Sequence, residues 1–205
     1  MTGLTPGGIG SGLEEFASRL LRGLAFHLAP AEVSCLGSLA SSTHDDLSDV
    51  DLRAQVHVPL DNAFFASLEQ YLSDQYGPAL IRYDPEDRTT TQTQNMHISF
   101  YNRPVFWKVD LAVESSVPAG KKFHDPFPDW NPAISALMNL VWAVKYYRRG
   151  EIDSANHYLS CACQKLSLTP FPYEEQRLRE LLEVIRTRPE IDPLFVRKFI
   201  REFSD

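Results

Sequence analysis

The stretch that decides the fold runs from Val33 to Leu52 and reads VSCLGSLASSTHDDLSDVDL. Its apolar start, Val33 to Leu36, predicts a β-strand, and Gly37-Ser38 predicts a tight turn at which backbone N–H groups can approach an anion closely. Strand alternation then sends Asp49 and Asp51 to one face of a second strand. Two carboxylates this close repel each other unless a cation lies between them, and their hard oxygen atoms suit Mg²⁺, which also binds phosphates.

This pattern has a counterpart in a known family. A glycine-serine turn, ten intervening residues between Ser38 and Asp49, and an acidic-apolar-acidic-apolar run resemble the signature of the polymerase-beta-like nucleotidyltransferase superfamily. The layout is most similar to the small branch that modifies aminoglycoside and lincosamide antibiotics. The matching positions are Gly37, Ser38, Ala40, Thr43, Ser48, Asp49, Asp51 and Leu52. Where the family usually has arginine and glycine in the loop, this chain has Ser41 and Ser42.

The resemblance implies specific roles for these residues. Gly37, Ser38 and the neighbouring backbone amides would bind the phosphates of ATP or another nucleoside triphosphate, and Asp49 and Asp51 would bind Mg²⁺. A third carboxylate from a later strand would complete the site. The alternative interpretation of Asp49 and Asp51 is a solvated strand edge or turn without a metal.

Asp110 is the candidate for that third carboxylate. We predict a hairpin of two strands, Met96 to Tyr101 and Val105 to Val113, and Asp110 lies among apolar residues in the second. Because burying an unpaired carboxylate is costly, Asp110 should face charge or water. The resemblance makes it the candidate general base and a possible metal ligand; the alternative is an acid on an exposed sheet face. His57 and His97 are interpreted as ordinary strand residues.

The predicted fold class is α+β, with a mixed β-sheet and flanking helices followed by a C-terminal helical bundle. We divide the chain into a flexible N-terminal arm (1–12), a nucleotidyltransferase domain (13–117), a proline-punctuated linker (118–130) and a helical domain (131–205). The remaining predicted elements are helices over 13–28, 63–76, 133–149, 151–166, 173–187 and 193–203 and strands over 52–58 and 79–83. Asp61 is predicted to cap the second helix.

Lys145 lies on the first helix of the predicted helical domain. In the enzymes that the chain resembles, a lysine from the helical part often reaches the triphosphate, which makes Lys145 the candidate. The alternative is a solvated helix lysine.

Composition and charge limit the class of protein, the partners and the compartment that we expect. The chain has 205 residues, a formal net charge of -7 and 43% hydrophobic residues, which is typical of a folded protein that does not favour long nucleic acid. Its three cysteines do not indicate a disulfide framework, and no apolar run is long enough to cross a membrane. Because the N-terminus also lacks the blocks of a signal peptide, we expect a cytoplasmic protein that does not contact membranes.

Together these features predict a metal-dependent nucleotidyltransferase that moves a nucleoside monophosphate, AMP from ATP, to a hydroxyl of a small molecule such as an aminoglycoside-like antibiotic. The acceptor is expected in the cleft between sheet and bundle, and a homodimer is possible. An alternative is an antitoxin-type or regulatory module of the same fold that binds or adenylylates a protein partner. Transfer to RNA is a third alternative, which the acidic composition disfavours.

Overall fold

The computed structural model describes residues 10–83, 92–118, 132–189, 191 and 193–204. The chain forms two compact units, Met1–Pro126 and Phe127–Asp205. Two sequence-based expectations lie wholly or mainly outside the described residues: the N-terminal arm up to residue 9 and the linker from residue 119 onward.

A mixed β-sheet forms the centre of the first unit. Its described elements are α1 (Gly10–His27), β1 (Glu32–Cys35), α2 (Gly37–Ala40), β2 (Val50–Val56), α3 (Asn62–Tyr76), β3 (Ala79–Tyr83), β4 (Thr93–Phe100) and β5 (Val109–Ser115). The strands are ordered β1-β2-β5-β4-β3, with β2 and β5 parallel and the other neighbours antiparallel. The predicted α+β class with a mixed sheet is confirmed.

The sheet has one apolar face, which α1 and α3 cover. Alternate residues of β2 and β5 are buried, and these pack with apolar side chains of the two helices. Asp51 and Asp110 occupy the intervening positions, where burial is only partial. Because successive side chains of a strand point to opposite faces, both carboxylates lie on the face away from α1 and α3.

Strand β5 differs most from its predicted extent. It begins at Val109 rather than Val105, because the chain makes a turn in which the Trp107 amide donates to the Pro104 carbonyl at 3.0 Å. Val105 and Phe106 are buried without being part of a strand, so their apolar character alone suggested an earlier start. At its other end the strand is longer than predicted and reaches Ser115.

The second unit is helical in its described residues: α4 (Pro132–Arg148), α5 (Ile152–Lys165), α6 (Glu175–Arg186) and α7 (Pro193–Ser204). Gly150 has a φ of 77° between α4 and α5, a left-handed conformation that glycine adopts without strain. Helix α4 is buried over most of its surface. Among the helices described in either unit, none combines the length and the apolar character that a membrane span requires.

Candidate active site

The predicted turn after β1 packs closely against Asp51, the second acidic residue of the run Asp49-Val50-Asp51. The Leu36 amide donates to the Asp51 carbonyl at 2.8 Å, and the chain then enters the single turn of helix α2. Gly37 has a φ of 63°, and a Cβ added there would overlap the Asp51 carboxylate. Only glycine therefore satisfies both the backbone conformation and the close approach to Asp51.

Ser41 and Ser42 close the same turn at the two positions where the family pattern differs. The Ser41 hydroxyl donates to the Gly37 carbonyl at 3.1 Å and lies 2.8 Å from the Thr43 hydroxyl. Ser42 has a φ of 57°, in the left-handed region that favours glycine. The loop thus keeps a glycine-like backbone at the position where the family has glycine, with serine as the residue.

A second tight turn leads into Asp49. The Ser48 hydroxyl donates to the Asp45 carboxylate at 2.8 Å, and the Ser48 amide donates to the Asp45 carbonyl at 3.0 Å. Ser48 and Asp49 are both largely buried. These contacts fix the backbone just before β2, so Asp49 and Asp51 start from a defined position on the same side of the strand.

Asp51 and Asp110 are paired positions on the adjacent parallel strands β2 and β5. The antiparallel pairing of β4 with β5 places His97 beside Asp110 in the same row. Residues in one row across a sheet point to the same face, and neighbouring strands lie about 4.8 Å apart. Residues from three strands, separated by up to 59 positions in the sequence, are thereby brought together on one face.

The Asp110 carboxylate is held from two sides. Its Oδ1 lies 2.6 Å from His97 Nδ1, and its Oδ2 lies 2.9 Å from Lys108 Nζ. Burial acts to raise the pKa of Asp110, but the hydrogen bond from His97 and the positive charge of Lys108 outweigh it, so the pKa lies below its ordinary value. Asp110 is therefore ionised at neutral pH and is available as a proton acceptor, although a low pKa makes it a weak one.

Some of the three candidate carboxylates are placed to bind a divalent cation. Asp49 and Asp51 supply hard carboxylate oxygens from one side of one strand, as Mg²⁺ binding requires. Asp110 is their neighbour, but His97 and Lys108 contact its two oxygens in this arrangement. In the part of the chain that is described, no three His, Cys, Asp or Glu side chains are grouped closely enough to hold a metal ion. Asp49 and Asp51 are therefore the better candidate ligands.

Lys145 is buried in the helical unit rather than solvated. Only 1% of its surface is exposed, and its ammonium lies 5.0 Å from the centre of the Trp142 ring. A cation over an aromatic face is a favourable contact. The alternative of a solvated helix lysine does not describe this residue.

Sequence reasoning missed two residues beside Asp110. His97 had been interpreted as an ordinary strand residue, and it contacts the carboxylate only because β4 pairs with β5 in one particular register. Lys108 shares the strand face of Asp110 by simple alternation, and this was the available signal for it. His57 lies at the end of β2 with its Nδ1 2.8 Å from the Ser116 hydroxyl, in an exposed position.

Comparison with known proteins gives matches only at the level of structure. No protein-family model and no curated protein sequence matches the chain. The polymerase core of TRAMP, an RNA surveillance complex, is similar with a TM-score of 0.40 and 13% identity, over 98% of this chain and 59% of that one. A GLD-2/RNP-8 complex is similar with a TM-score of 0.35 and 12% identity, over 95% of this chain and 94% of that one. A non-canonical poly(A) polymerase complex, GLD-2 with GLD-3, has a TM-score of 0.39 and 16% identity, over 91% of this chain and 61% of that one.

The first of these neighbours is the polymerase core of an RNA surveillance complex, and the third is a poly(A) polymerase in a complex with a protein partner, GLD-3. None of the three is an antibiotic-modifying enzyme. The expected small-molecule acceptor, together with the expectation that long nucleic acid is an unsuitable partner, is therefore wrong. The physical reason is that a net charge of -7 averages the whole surface and says nothing about a local positive groove.

Proposed function

We propose that the chain is a metal-dependent nucleotidyltransferase that moves a nucleoside monophosphate from a nucleoside triphosphate to a hydroxyl group of a macromolecule. The observation that carries the proposal is the row formed by Asp51 and Asp110 on adjacent parallel strands, with the Gly37 turn packed against Asp51. Carboxylates gathered beside a tight glycine turn supply the two parts that nucleotidyl transfer requires: charge compensation and a phosphate cradle.

The reaction is a substitution at phosphorus. The acceptor hydroxyl oxygen forms a bond to the α-phosphorus, the bond from that phosphorus to the bridging β-phosphate oxygen breaks, and pyrophosphate leaves with the electron pair. The hydroxyl proton passes to the Asp110 carboxylate, which is already ionised because His97 and Lys108 hold its pKa low. The two contacts also fix the orientation of the carboxylate, so that little reorganisation is needed during the transfer.

Asp49 and Asp51 would hold the divalent cation, for which Mg²⁺ is our choice because their ligand atoms are hard oxygens. When bound, such an ion neutralises the charge that develops on the phosphates. Ser38 and the amides of the α2 turn would contact the β- and γ-phosphates. ATP is the proposed nucleotide, with AMP as the transferred group.

The test uses the full-length protein with Mg²⁺, each of the four α-labelled ribonucleoside triphosphates, and an RNA or a protein fraction as the acceptor. We expect label in the acceptor together with pyrophosphate release. Asp51→Asn should lower the rate by at least about 10²-fold, because it removes charge compensation without removing volume. Asp46→Asn is the matched control, since Asp46 is an exposed acid in the same loop.

The outcome that contradicts the proposal is clear. If Asp51→Asn and Asp46→Asn release pyrophosphate at the same rate as the unmodified protein, the acidic row does not carry the reaction. If the unmodified protein releases no pyrophosphate with any nucleotide and either acceptor class, nucleotidyl transfer itself is wrong.

A further inference from the structure

A groove of about 410 Å³ lies between α1 and α3, in a part of the first unit that the proposed reaction does not use. Its lining includes Arg19, Arg22, Phe26, Tyr71 and Tyr76. Because α1 and α3 cover the apolar face of the sheet, the groove lies on the opposite side of the sheet from Asp51 and Asp110. It is therefore a separate surface and not an extension of the candidate active site.

Two arginines supply the charge of this groove. Arg19 and Arg22 are three residues apart on α1, so their side chains are neighbours on one helix face. The Arg19 guanidinium lies 5.3 Å from the centre of the Tyr76 ring. Among the residues that the structure describes, neither arginine has a carboxylate within ion-pair distance. This is a local positive site in a chain of net negative charge.

Flat aromatic surfaces accompany the charge. Phe26 is 86% exposed, the highest value among the exposed large apolar side chains. The rings of Tyr71 and His27 are stacked with their centres 4.1 Å apart and their planes within 9°. The exposed Phe26 ring is the aromatic surface that offers a stacking partner to a nucleobase, since every base has a π-face.

The floor of the groove is shaped by Gly23. A Cβ at this position would overlap the hydroxyl oxygens of both Tyr71 and Tyr76, so glycine is what lets these two tyrosines pack against α1. Burial, and then the hydrogen bond with Tyr71, raises the pKa of Tyr76 to about 12. Tyr76 is uncharged at neutral pH, and the two arginines set the sign of the groove.

We propose that this groove binds a segment of single-stranded RNA, with Arg19 and Arg22 contacting phosphates and Phe26 stacking on a base. Alternating positive and aromatic groups match a strand that alternates phosphates and bases. An acidic peptide would match the arginines but would leave the exposed Phe26 ring without an aromatic partner. The identification of this strand as the acceptor rests on the proposed function, whereas the binding itself does not.

The experiment measures the anisotropy of a fluorescein-labelled oligoadenylate 12-mer with the full-length protein between 50 and 200 mM KCl. Each phosphate contact adds about 0.7 to the slope of log K against log salt for single strands. Arg22→Gln should therefore lower that slope by about 0.7, and Phe26→Ala should weaken binding roughly tenfold with the slope unchanged. Arg188→Gln and Leu194→Ala, at exposed positions of the helical unit, are matched controls and should change neither quantity.

Three outcomes overturn the proposal. In the first, the unmodified protein does not bind the oligonucleotide. In the second, the unmodified protein binds it, but Arg22→Gln and Phe26→Ala change neither the affinity nor the salt slope. The third is preferential binding of a labelled polyglutamate peptide, lost in Arg22→Gln, which would assign the groove to an acidic protein segment.

Transfer assays separate this proposal from the proposed function. The groove and the acids are separated by a helix layer and the sheet, about 20 Å together, so only a long acceptor could contact both. Phe26→Ala should raise the KM of a 20-nucleotide acceptor several-fold and leave that of a dinucleotide unchanged. If no acceptor is modified but oligonucleotide binding still responds to Arg22→Gln, the groove is supported and nucleotidyl transfer is wrong.

Discussion

Gly37 and Asp51 approach each other more closely than any residue with a Cβ at position 37 would permit. The contact joins the turn after β1 to the first half of β2, and the Leu36 amide reinforces it through the Asp51 carbonyl at 2.8 Å. The turn and the acidic row are thus one structural unit, and a change in the turn should be felt by the carboxylate.

Gly37→Ala tests this coupling. We expect the substitution to lower the free energy of unfolding by about 2 kcal/mol, through the left-handed backbone and the overlap with Asp51, and to reduce nucleotidyl transfer. Gly150→Ala is the matched control, because Gly150 has a φ of 77° but open space where its Cβ would be. Gly150→Ala should lower the free energy of unfolding by about 1 kcal/mol, through the left-handed backbone alone, and should leave activity unchanged. Equal effects of the two substitutions on activity would contradict the coupling.

Asp110→Asn should destabilise the fold in a pH-dependent way. The folded-state pKa of Asp110 is lowered, so its ionised form contributes stability above the ordinary value of 3.8, and this contribution disappears as the pH falls through the folded-state pKa. At pH 7 the substitution should cost about 1–3 kcal/mol, because the buried Lys108 loses this carboxylate. Urea denaturation at pH 7 and pH 3 measures the difference. A cost that is the same at both values would show that the His97 and Lys108 contacts do not act through the charge of Asp110.

Lys145→Met tests the triphosphate contact that the family resemblance implies for Lys145. Methionine fills a similar volume, so we expect a change in unfolding free energy of less than about 1.5 kcal/mol. The KM for the nucleotide should rise about tenfold if the ammonium contacts the triphosphate, whereas the KM for the acceptor should not change. Lys198→Met, in which the lysine pairs with Glu202 at 3.7 Å, is the control. A Lys145→Met enzyme with an unaltered nucleotide KM would remove Lys145 from the site.

Asp61→Ala is expected to affect stability alone. The Asp61 carboxylate accepts from the Phe64 amide at 2.9 Å and caps α3, as the sequence predicted. Its loss should cost about 1 kcal/mol by thermal or chemical denaturation. Because Asp61 lies at the start of α3, away from the acids and from the α3 residues that line the groove (Tyr71, Gln75 and Tyr76), the KM and kcat of transfer should not change. A loss of activity without a loss of stability would mean that α3 takes part in the reaction.

Local sequence was sufficient to predict those helices and strands whose bounds depend on a few consecutive residues. The β3 strand spans Ala79–Tyr83 as predicted, and α3 begins next to its predicted cap. The start of β5 was not predictable in this way, because Val105 and Phe106 are as apolar as strand residues but are buried by a turn. Burial explains apolar character equally well in a strand and in a turn, so the pattern alone could not separate the two.

The residues of the candidate site divide in the same way, into those that local sequence places and those that only the tertiary structure brings together. The sequence by itself determined that Asp49 and Asp51 share a strand face beside a glycine turn, because alternation and the conformational freedom of glycine are properties of a few consecutive residues. Only the tertiary structure decided that Asp110 lies level with Asp51 and that His97 reaches Asp110. The register of strands that are distant in the chain is set by how their apolar faces pack under α1 and α3, and a shift of one residue would have turned these side chains into the core.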